Sequence, residues 1–483
     1  MWRDELQAWL LARDSLSIPN LIFNMRYEGH PPLWHLLLFI LTRFTTCPLF
    51  MQMLHLLIAT LSGWVFIRFS PFSKIQKILF IFGYFPFYEY LIKSRSYVLG
   101  VLFIFIFCAL FKSRVKRYIL LFVVLFLLSQ TTFIGAIVAV SMGLFLFLEM
   151  IPAKPPALTP AKKPDITVGT LIFVSMVILL FFQVHLPKDV YYNWTPGYFL
   201  KIDFRRIINV FSYINSTYLF SFYGPRMRVT PPRTADFIIS LVELIFAALL
   251  FCRKPKVLFL YLTGTFGLLL FFYIKDGHRL RHEGYLYILL IACFWLAYYA
   301  KPRVLKQAFL NKISLAVEKY RDTFIIVFLS SHFIFGMFFT LSDWKDKFSG
   351  SKEAALFIKR NHLEEALILG DYDFRVSPIA AYLNTKIYYP SIRRFGSYCL
   401  WNTEKNRKPS QSEVIKTAKQ LMLQRRKPVL LILTYELYPS NMTDGIRLLR
   451  KFTADIPDTK ETYYLYFLAY DEQTGGSGSL PIK

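Results

Sequence analysis

Three carboxylates stand close together near the N-terminus of the sequence: Asp4, Glu5 and Glu28. Most of the sequence after them is apolar enough to lie in a bilayer, and ionisable side chains at the mouth of a membrane bundle usually serve a function. A carboxylate in that position can act as a general base that removes the proton from an acceptor hydroxyl. We therefore interpret residues 1–35 as the acceptor-activating side of an active site.

A second polar group lies where this segment meets the next apolar run, in the sequence RYEGHPPL at residues 26–33. Glu28 and His30 could hold a divalent cation together with Glu5, or they could hydrogen-bond a sugar. The alternative is that His30 only fixes the turn before Pro31. The spacing of these residues matches no metal-ligand signature, so all three interpretations stay open at this point.

The acidic pair Asp4-Glu5, followed by HPPL at residues 30–33, resembles the polytopic glycosyltransferases of the C fold class. Within that class it is similar to the protein O-mannosyltransferase and lipid A aminoarabinose transferase group, whose members use a lipid-phosphate-linked sugar as donor. The resemblance implies that Asp4 is the catalytic base and that Glu5 orients the acceptor, Asp4 or a metal-bound water. The alternative is that the pair only caps a helix lying in the membrane interface.

Cationic residues would supply the second half of such a site, because a departing phosphate must be stabilised. Arg95, in the sequence SRSY at residues 94–97, resembles the Arg-x-Tyr element of the same family. A second loop, predicted to lie outside, contains Lys275, His278, Arg279, Arg281 and His282. The positive-inside rule predicts few cations there, so their presence indicates an anion to bind. We assign Arg95, Lys275, Arg279, Arg281 and His282 to the donor phosphate, which arginine binds with two hydrogen bonds; the alternative is that they bind anionic lipid head groups.

The composition supports a membrane protein. The chain has 483 residues, of which 55% are hydrophobic and 49 are Phe, which is typical of integral membrane proteins and not of soluble enzymes. A net charge of +26 raises nucleic acid as an alternative partner. The Lys and Arg residues, however, gather in short clusters between apolar runs, as expected of cytoplasmic loops, and they form no continuous basic face. We expect a lipid bilayer as the partner and no nucleic acid.

The sequence divides into four parts. Residues 1–48 form a first extracytoplasmic loop with interfacial or re-entrant helices, since the run from Leu33 to Phe44 is too short to span a bilayer. Residues 49–341 form a bundle of about ten spans, one of them from Ile78 to Ile92. Residues 342–472 form an extracytoplasmic α/β domain, and residues 473–483 are a flexible tail. The family's first transmembrane helix is missing before Met1, and we expect it to be encoded upstream, through a misassigned start codon or a truncated sequence.

In the C-terminal domain, the patterns predict alternating helices and strands. The predicted helices are Ser351 to Asn361, Ser412 to Gln424 and Asp444 to Phe452, and the predicted strands are Glu365 to Gly370 and Val429 to Thr434. The basic loops are placed in the cytosol only if Asp4 lies outside, and the C-terminal domain then lies on the same side as Asp4. The sequence thus predicts an α-helical polytopic membrane protein of the glycosyltransferase C type with a small C-terminal extracytoplasmic α/β domain.

The predicted function is transfer of a sugar from a polyprenyl-phosphate donor to a hydroxyl of a lipid, glycan or protein acceptor, in the synthesis of a cell-envelope glycan. The predicted location is the plasma (inner) membrane, with the active site facing outward. One alternative is a lipid-linked oligosaccharide ligase or polymerase. The other is a transporter or non-catalytic scaffold, although transporters tend to contain internal repeats and the sequence shows none.

Overall fold

The computed structural model describes residues 1, 3–151, 163–185, 187–190, 199–219, 234–275, 279–345, 347–402, 409–439, 445–455 and 461–470. Helices predominate along the chain, and a six-stranded sheet is confined to its C-terminal part. His278 and the tail predicted at 473–483 lie outside the described residues.

The N-terminal segment contains the helices α1 (Arg3–Asp14), α2 (Ile18–Met25) and α3 (Leu33–Thr42). α1 buries Leu6 and Trp9 completely. α3 starts after two prolines and has 10 residues. At about 1.5 Å per residue it covers only half of a hydrocarbon core that is roughly 30 Å thick, so α3 by itself cannot cross a bilayer.

The apolar part of the chain contains the helices α4 (Leu49–Phe69), α5 (Lys74–Ile81), α6 (Tyr97–Phe111), α7 (Tyr118–Ser129), α8 (Phe133–Met150), α9 (Lys163–Val184), α10 (Phe204–Tyr218), α11 (Thr234–Phe251), α12 (Pro255–Ile274), α13 (Leu280–Tyr299), α14 (Ala308–Lys319) and α15 (Arg321–Lys345). Among the described residues, seven helices are long and apolar enough to cross a membrane: α4, α8, α9, α11, α12, α13 and α15. The predicted α-helical character is therefore confirmed, and the seven helices are compatible with a multi-pass membrane protein. α3, α6 and α7 are apolar but shorter, and the predicted number of about ten spans stays a prediction.

The run at 78–92, predicted as one span, is interrupted in the structure. The backbone at Gly83 is extended, with φ −71° and ψ 162°, and Tyr84–Glu89 forms a π-helical turn. Pro86 in that turn has no N–H to donate, which also disfavours a regular helix. α15 packs directly on the break, because a Cβ added at Gly336 would lie 2.7 Å from a backbone oxygen there.

The C-terminal domain contains the helices α16 (Ser351–Arg360), α17 (Asp373–Leu383) and α18 (Gln411–Arg425) and the strands β1 (Leu367–Gly370), β2 (Ile387–Tyr389), β3 (Arg394–Gly396), β4 (Val429–Leu433), β5 (Ile446–Phe452) and β6 (Tyr463–Leu468). The strand order is β3-β2-β1-β4-β6-β5. β1 pairs in parallel with β2 and β4, and the remaining pairs are antiparallel. α16 and α17 pack on one face of the sheet and α18 on the other, so the domain has three layers.

Within the segment predicted as a helix from Asp444 to Phe452, residues Ile446–Phe452 form a strand, β5. Only Ile446 and Phe452, at its ends, are buried, and the residues between them are largely solvent-accessible. β5 is the edge strand and pairs along its length with β6. The helical prediction was wrong because pairing with β6, which local sequence does not reveal, determines the conformation of this segment.

The C-terminal domain rests on α1, which packs against both α3 and α17. The guanidinium of Arg3 lies over the ring of Phe374, 4.2 Å from its centroid. The amide of Gln7 donates to the carbonyl of Cys399 at 2.7 Å and accepts from the Cys399 N–H at 3.0 Å. α1 is thus held between α3 and the α/β domain, and this arrangement positions the candidate site.

Candidate active site

Asp4 lies at the centre of the candidate site. Its Oδ2 accepts hydrogen bonds from Arg95 Nη1 at 3.0 Å and from Arg281 Nη2 at 3.3 Å, and its Oδ1 lies 3.7 Å from Nε of Arg3. Burial acts to raise the pKa of Asp4, but the guanidiniums of Arg95, Arg281 and Arg3 outweigh burial and lower that pKa. Asp4 is therefore an ionised carboxylate at neutral pH.

Tyr97 connects the two cations of the site to His282. Arg95 and Arg281 lie 5.6 Å and 6.0 Å from the centroid of the Tyr97 ring, within the range of a cation–π interaction. The Tyr97 hydroxyl lies 2.8 Å from Nε2 of His282, while the Arg279 N–H donates to Nδ1 of that ring at 3.2 Å. In its neutral form, His282 therefore carries its proton on Nε2 and donates it to Tyr97.

Aromatic contacts fix the start of α13, which carries Arg281. The hydroxyl of Tyr90 donates to the backbone carbonyl of Arg281 at 2.9 Å. The hydroxyl of Tyr285 donates to the backbone carbonyl of Tyr97, also at 2.9 Å. The first contact requires a glycine beside it, since a Cβ at Gly284 would lie 2.4 Å from the Tyr90 hydroxyl. These contacts bring α13 and the loop before α6 together at Asp4, although they are distant in the sequence.

Glu5 is 5% exposed, and its Oε1 accepts a hydrogen bond from the Ser94 N–H at 2.7 Å. This contact holds the loop that presents Arg95 next to Asp4. The structure therefore gives Glu5 a position from which it supports the cationic half of the site, and its predicted role in orienting the acceptor stays a prediction.

Glu28 and His30 both lie beside α1. Oε1 of Glu28 accepts from Gln7 Nε2 at 2.7 Å, the same amide that contacts Cys399. Burial, followed by the charges of Arg95 and other neighbours, lowers the pKa of His30 to about 3. His30 is therefore neutral at physiological pH and can donate or accept a hydrogen bond to a sugar hydroxyl without adding charge.

The metal hypothesis for Glu5, Glu28 and His30 gains no support from the geometry. In the part of the chain that the structure describes, no three or more His, Cys, Asp or Glu side chains are grouped so that they could hold a metal ion. Oε1 of Glu5 accepts from the backbone N–H of Ser94, and Oε1 of Glu28 accepts from the side-chain amide of Gln7.

The remaining predicted donor-site cations are Arg279 and Lys275. Arg279 is exposed at the start of α13, where its backbone contacts His282. Lys275 directly follows α12 and is partly buried, which lowers the pKa of its ammonium group. The structure thus brings Arg95 and Arg281 onto Asp4, joins His282 to them through Tyr97, and leaves Arg279 at the surface.

Two residues at the site were missed by the sequence analysis. Arg3 lies beside Asp4, and its backbone N–H donates to Oε1 of Glu461 at 3.0 Å. Burial raises the pKa of Glu461 to about 7, although Ser349 and Arg3 act to lower it. Glu461 belongs to the α/β domain and stands in no motif, so no local signal could connect it with a helix more than 400 residues earlier in the sequence.

No protein-family model matches the sequence, and no curated protein or solved structure is significantly similar to the chain. The class that the structure establishes is therefore a mostly helical protein with several helices able to cross a membrane and a small C-terminal sheet.

Proposed function

We propose that this chain is a membrane glycosyltransferase of the C fold class, which transfers a sugar from a polyprenyl-phosphate donor to an acceptor hydroxyl. The observation that carries the proposal is Asp4, on the helix α1 that packs against the α/β domain, whose Oδ2 accepts hydrogen bonds from Arg95 and Arg281 at 3.0 Å and 3.3 Å. A carboxylate can accept the proton of a hydroxyl. The two guanidiniums can bind the oxygens of a phosphate and stabilise the negative charge that it gains as it leaves.

In the reaction, the acceptor oxygen forms a bond with the anomeric carbon of the donor sugar. The bond from that carbon to the phosphate oxygen breaks, and polyprenyl phosphate leaves with the electron pair. Asp4 takes the proton of the acceptor hydroxyl, so no charge is left unbalanced. Arg95 and Arg281 hold the departing phosphate, and His282 orients this end of the site through Tyr97.

Donor binding should also raise the basicity of Asp4, because Asp4 is ion-paired with the same arginines that would bind the donor phosphate. A carboxylate bonded to two guanidiniums is a weak base, because those charges lower its pKa. A donor phosphate competes for the same guanidinium N–H groups, and once Arg95 and Arg281 turn toward it, the pKa of Asp4 rises. Donor binding would therefore activate the base, and an acceptor would not be deprotonated before a donor is present.

We place the site on the extracytoplasmic face of the plasma (inner) membrane. α12 and α13 meet close to Arg281, whereas the opposite end of α12 carries Lys256, 3.3 Å from Glu149, a residue that also pairs with Arg114 at 2.9 Å. Basic clusters at this opposite end are expected on the cytosolic side. The α/β domain, which rests on α1, then lies outside together with Asp4.

The test is sugar transfer by membranes containing the protein, with radiolabelled polyprenyl-phosphate hexoses as donors. We expect Asp4→Asn to lower the transfer rate by roughly 10²–10⁴-fold, as for loss of a general base. Asp14→Asn is the matched control, because Asp14 is an ion-paired carboxylate at the other end of the same helix, 2.7 Å from Arg13. Full activity of Asp4→Asn would refute the proposal, and failure to use any monosaccharide donor would favour a ligase of lipid-linked oligosaccharides.

A further inference from the structure

The short helix α14 (Ala308–Lys319) connects two long apolar helices, α13 and α15. α13 begins beside the candidate site, with Arg281 in its first turn, and runs for 20 residues to Tyr299. At about 1.5 Å per residue this length is roughly 30 Å, the thickness of a hydrocarbon core. A helix of this length, set across a bilayer, brings the chain to the membrane surface opposite the candidate site, and α14 follows there.

Exposed tyrosines mark both ends of the segment that contains α14. Tyr298 lies at the end of α13, and Tyr320 separates α14 from α15; both are exposed. Tyrosine at the ends of membrane spans is typical of the boundary between acyl chains and head groups. The two residues therefore indicate that α14 lies at this boundary.

One face of α14 is fixed to the end of α11. The hydroxyl of Ser314, which is buried, donates to the backbone carbonyl of Leu249 in the last turn of α11 at 3.0 Å. Four residues later, Glu318 pairs with Arg253, which directly follows α11, at 2.9 Å. Because α11 is a candidate span, these contacts hold α14 at the level where the spans end.

The other face of α14 presents apolar and cationic side chains together. Phe309 is 73% exposed and Leu315 is 48% exposed, and Lys312 and Lys319 are exposed beside them. Residues 312, 315 and 319 are three and four positions apart and therefore share one face of the helix. A large aromatic side chain and a leucine among lysines are unfavourable in water, but they are typical of a helix that lies in a membrane interface.

The segment has a large excess of positive charge. Residues 301–322 contain two carboxylates and six cations, Lys301, Arg303, Lys306, Lys312, Lys319 and Arg321. Both carboxylates have arginine partners, since Glu318 pairs with Arg253 and Asp322 pairs with Arg321 at 3.1 Å. All six cations are exposed, so the excess charge faces outward and favours an anionic surface.

We propose that α14 is an interfacial helix that docks on the anionic phospholipids of the adjacent membrane leaflet. Phe309 and Leu315 enter the boundary between acyl chains and head groups, and the flexible lysine side chains extend their ammonium groups to the phosphodiester oxygens. This lipid surface is continuous with the lipid around α11 and α15, whereas a soluble acidic partner would leave the apolar side chains without a matching environment. The docking does not depend on the proposed transferase function.

The test is amide hydrogen exchange of α14, measured by mass spectrometry on the full-length protein in two kinds of lipid nanodisc. One kind contains phosphatidylcholine alone, and the other contains an equal mixture of phosphatidylcholine and phosphatidylglycerol. Docking suppresses the local opening through which helix amides exchange. We expect the amides of α14 to exchange roughly tenfold more slowly with the anionic lipid, and this difference to shrink at high ionic strength, where exposed charges are screened.

The variant Lys306→Gln/Lys312→Gln/Lys319→Gln should lose the difference between the two lipids. Its matched control removes three exposed cations at the C-terminal domain helix α18 and directly after it, and should keep the wild-type difference: Lys416→Gln/Arg425→Gln/Lys427→Gln. Phe309→Ser should speed exchange of α14 in both lipids, because its apolar contact does not depend on the head group. All these side chains are exposed, so the variants should unfold at the wild-type temperature.

Equal exchange of wild-type α14 in the two lipids would overturn the inference. Loss of the difference in the α18 control would overturn it too, because the effect would then follow the net charge of the protein and not α14. Protection that is the same in both lipids but increases in nanodiscs holding two copies would identify this face as a contact between copies instead.

Discussion

Arg95 and Arg281 both contact the same carboxylate oxygen of Asp4, and both are guanidiniums rather than ammonium groups. A guanidinium can keep one hydrogen bond to Asp4 or Tyr97 while it donates others to a phosphate, because its N–H groups form a rigid planar fork. A lysine at either position would offer a single flexible point charge. The identity of the residue, and not only its charge, should therefore matter for donor binding.

We expect Arg281→Lys to raise the KM for the polyprenyl-phosphate donor by roughly 10–100-fold, corresponding to the loss of one charged hydrogen bond of about 1.5–3 kcal/mol. Arg279→Lys should have almost no effect, since the exposed Arg279 contacts His282 through its backbone. The measurement is the initial rate of transfer as a function of donor concentration at saturating acceptor. Equal effects of the two substitutions would mean that the loop acts by its overall charge, as expected for binding of anionic lipid head groups.

At the scale of elements, the site depends on a close approach between α13 and the π-helical turn at Tyr84–Glu89. Gly284 permits this approach, because a Cβ there would lie 2.4 Å from both Phe85 and Tyr90, whose side chains are almost completely buried and cannot move away. Arg281 is three residues earlier on α13, so a shift of this helix would displace its guanidinium from Asp4.

Gly284→Ala should therefore destabilise the protein by roughly 1–3 kcal/mol through overpacking, and it should also raise the donor KM. The control is Gly63→Ala in α4, where the nearest atom would be Ile81 Cδ1 at an ordinary contact distance of 3.4 Å. Thermal unfolding in nanodiscs measures the first effect, and transfer kinetics measure the second. Unchanged stability of Gly284→Ala would show that the contact between α13 and the turn is loose.

The elements differ in how far the sequence predicts them. The apolar run of β4 and the helix α18 appear within one residue of their predicted ends, because burial and helical periodicity are local properties of the sequence. β5 and the break at Gly83 were not predicted. β5 forms because it pairs with β6, and the break at Gly83 is packed against Gly336 of α15. Neither contact can be predicted from the neighbouring residues in the sequence.

At the scale of the whole molecule, the acidic and cationic residues of the site come from three distant parts of the chain. The sequence identifies these residues as candidates, because ionisable groups beside apolar runs are conspicuous. It also predicts that Asp4 lies close to arginines. The role of the α/β domain was not predictable. Its contacts with α1, through Phe374, Cys399 and Glu461, depend on how the two parts of the molecule dock.

Glu461 makes this docking sensitive to pH. Its pKa is raised from an ordinary value of 4.5 to about 7, so the folded protein binds a proton more tightly than the unfolded chain does. The stabilising contribution of that proton is complete below pH 4.5 and is lost as the pH rises through 7. Above pH 7, folding must bury a charged carboxylate next to Asp4, at a cost of roughly 3 kcal/mol.

Glu461→Gln removes this titration while its amide oxygen can still accept from the Arg3 N–H. We therefore expect the variant to unfold at a temperature a few degrees higher than the wild type at pH 8, and at nearly the same temperature at pH 5, where the native carboxyl is protonated. The measurement is thermal unfolding in nanodiscs across this pH range, with Glu436→Gln as the control, since Glu436 is exposed on the same domain. If both variants followed the wild-type curve at every pH, Glu461 would already be neutral or solvated, and the contact between the α/β domain and α1 would not depend on its charge.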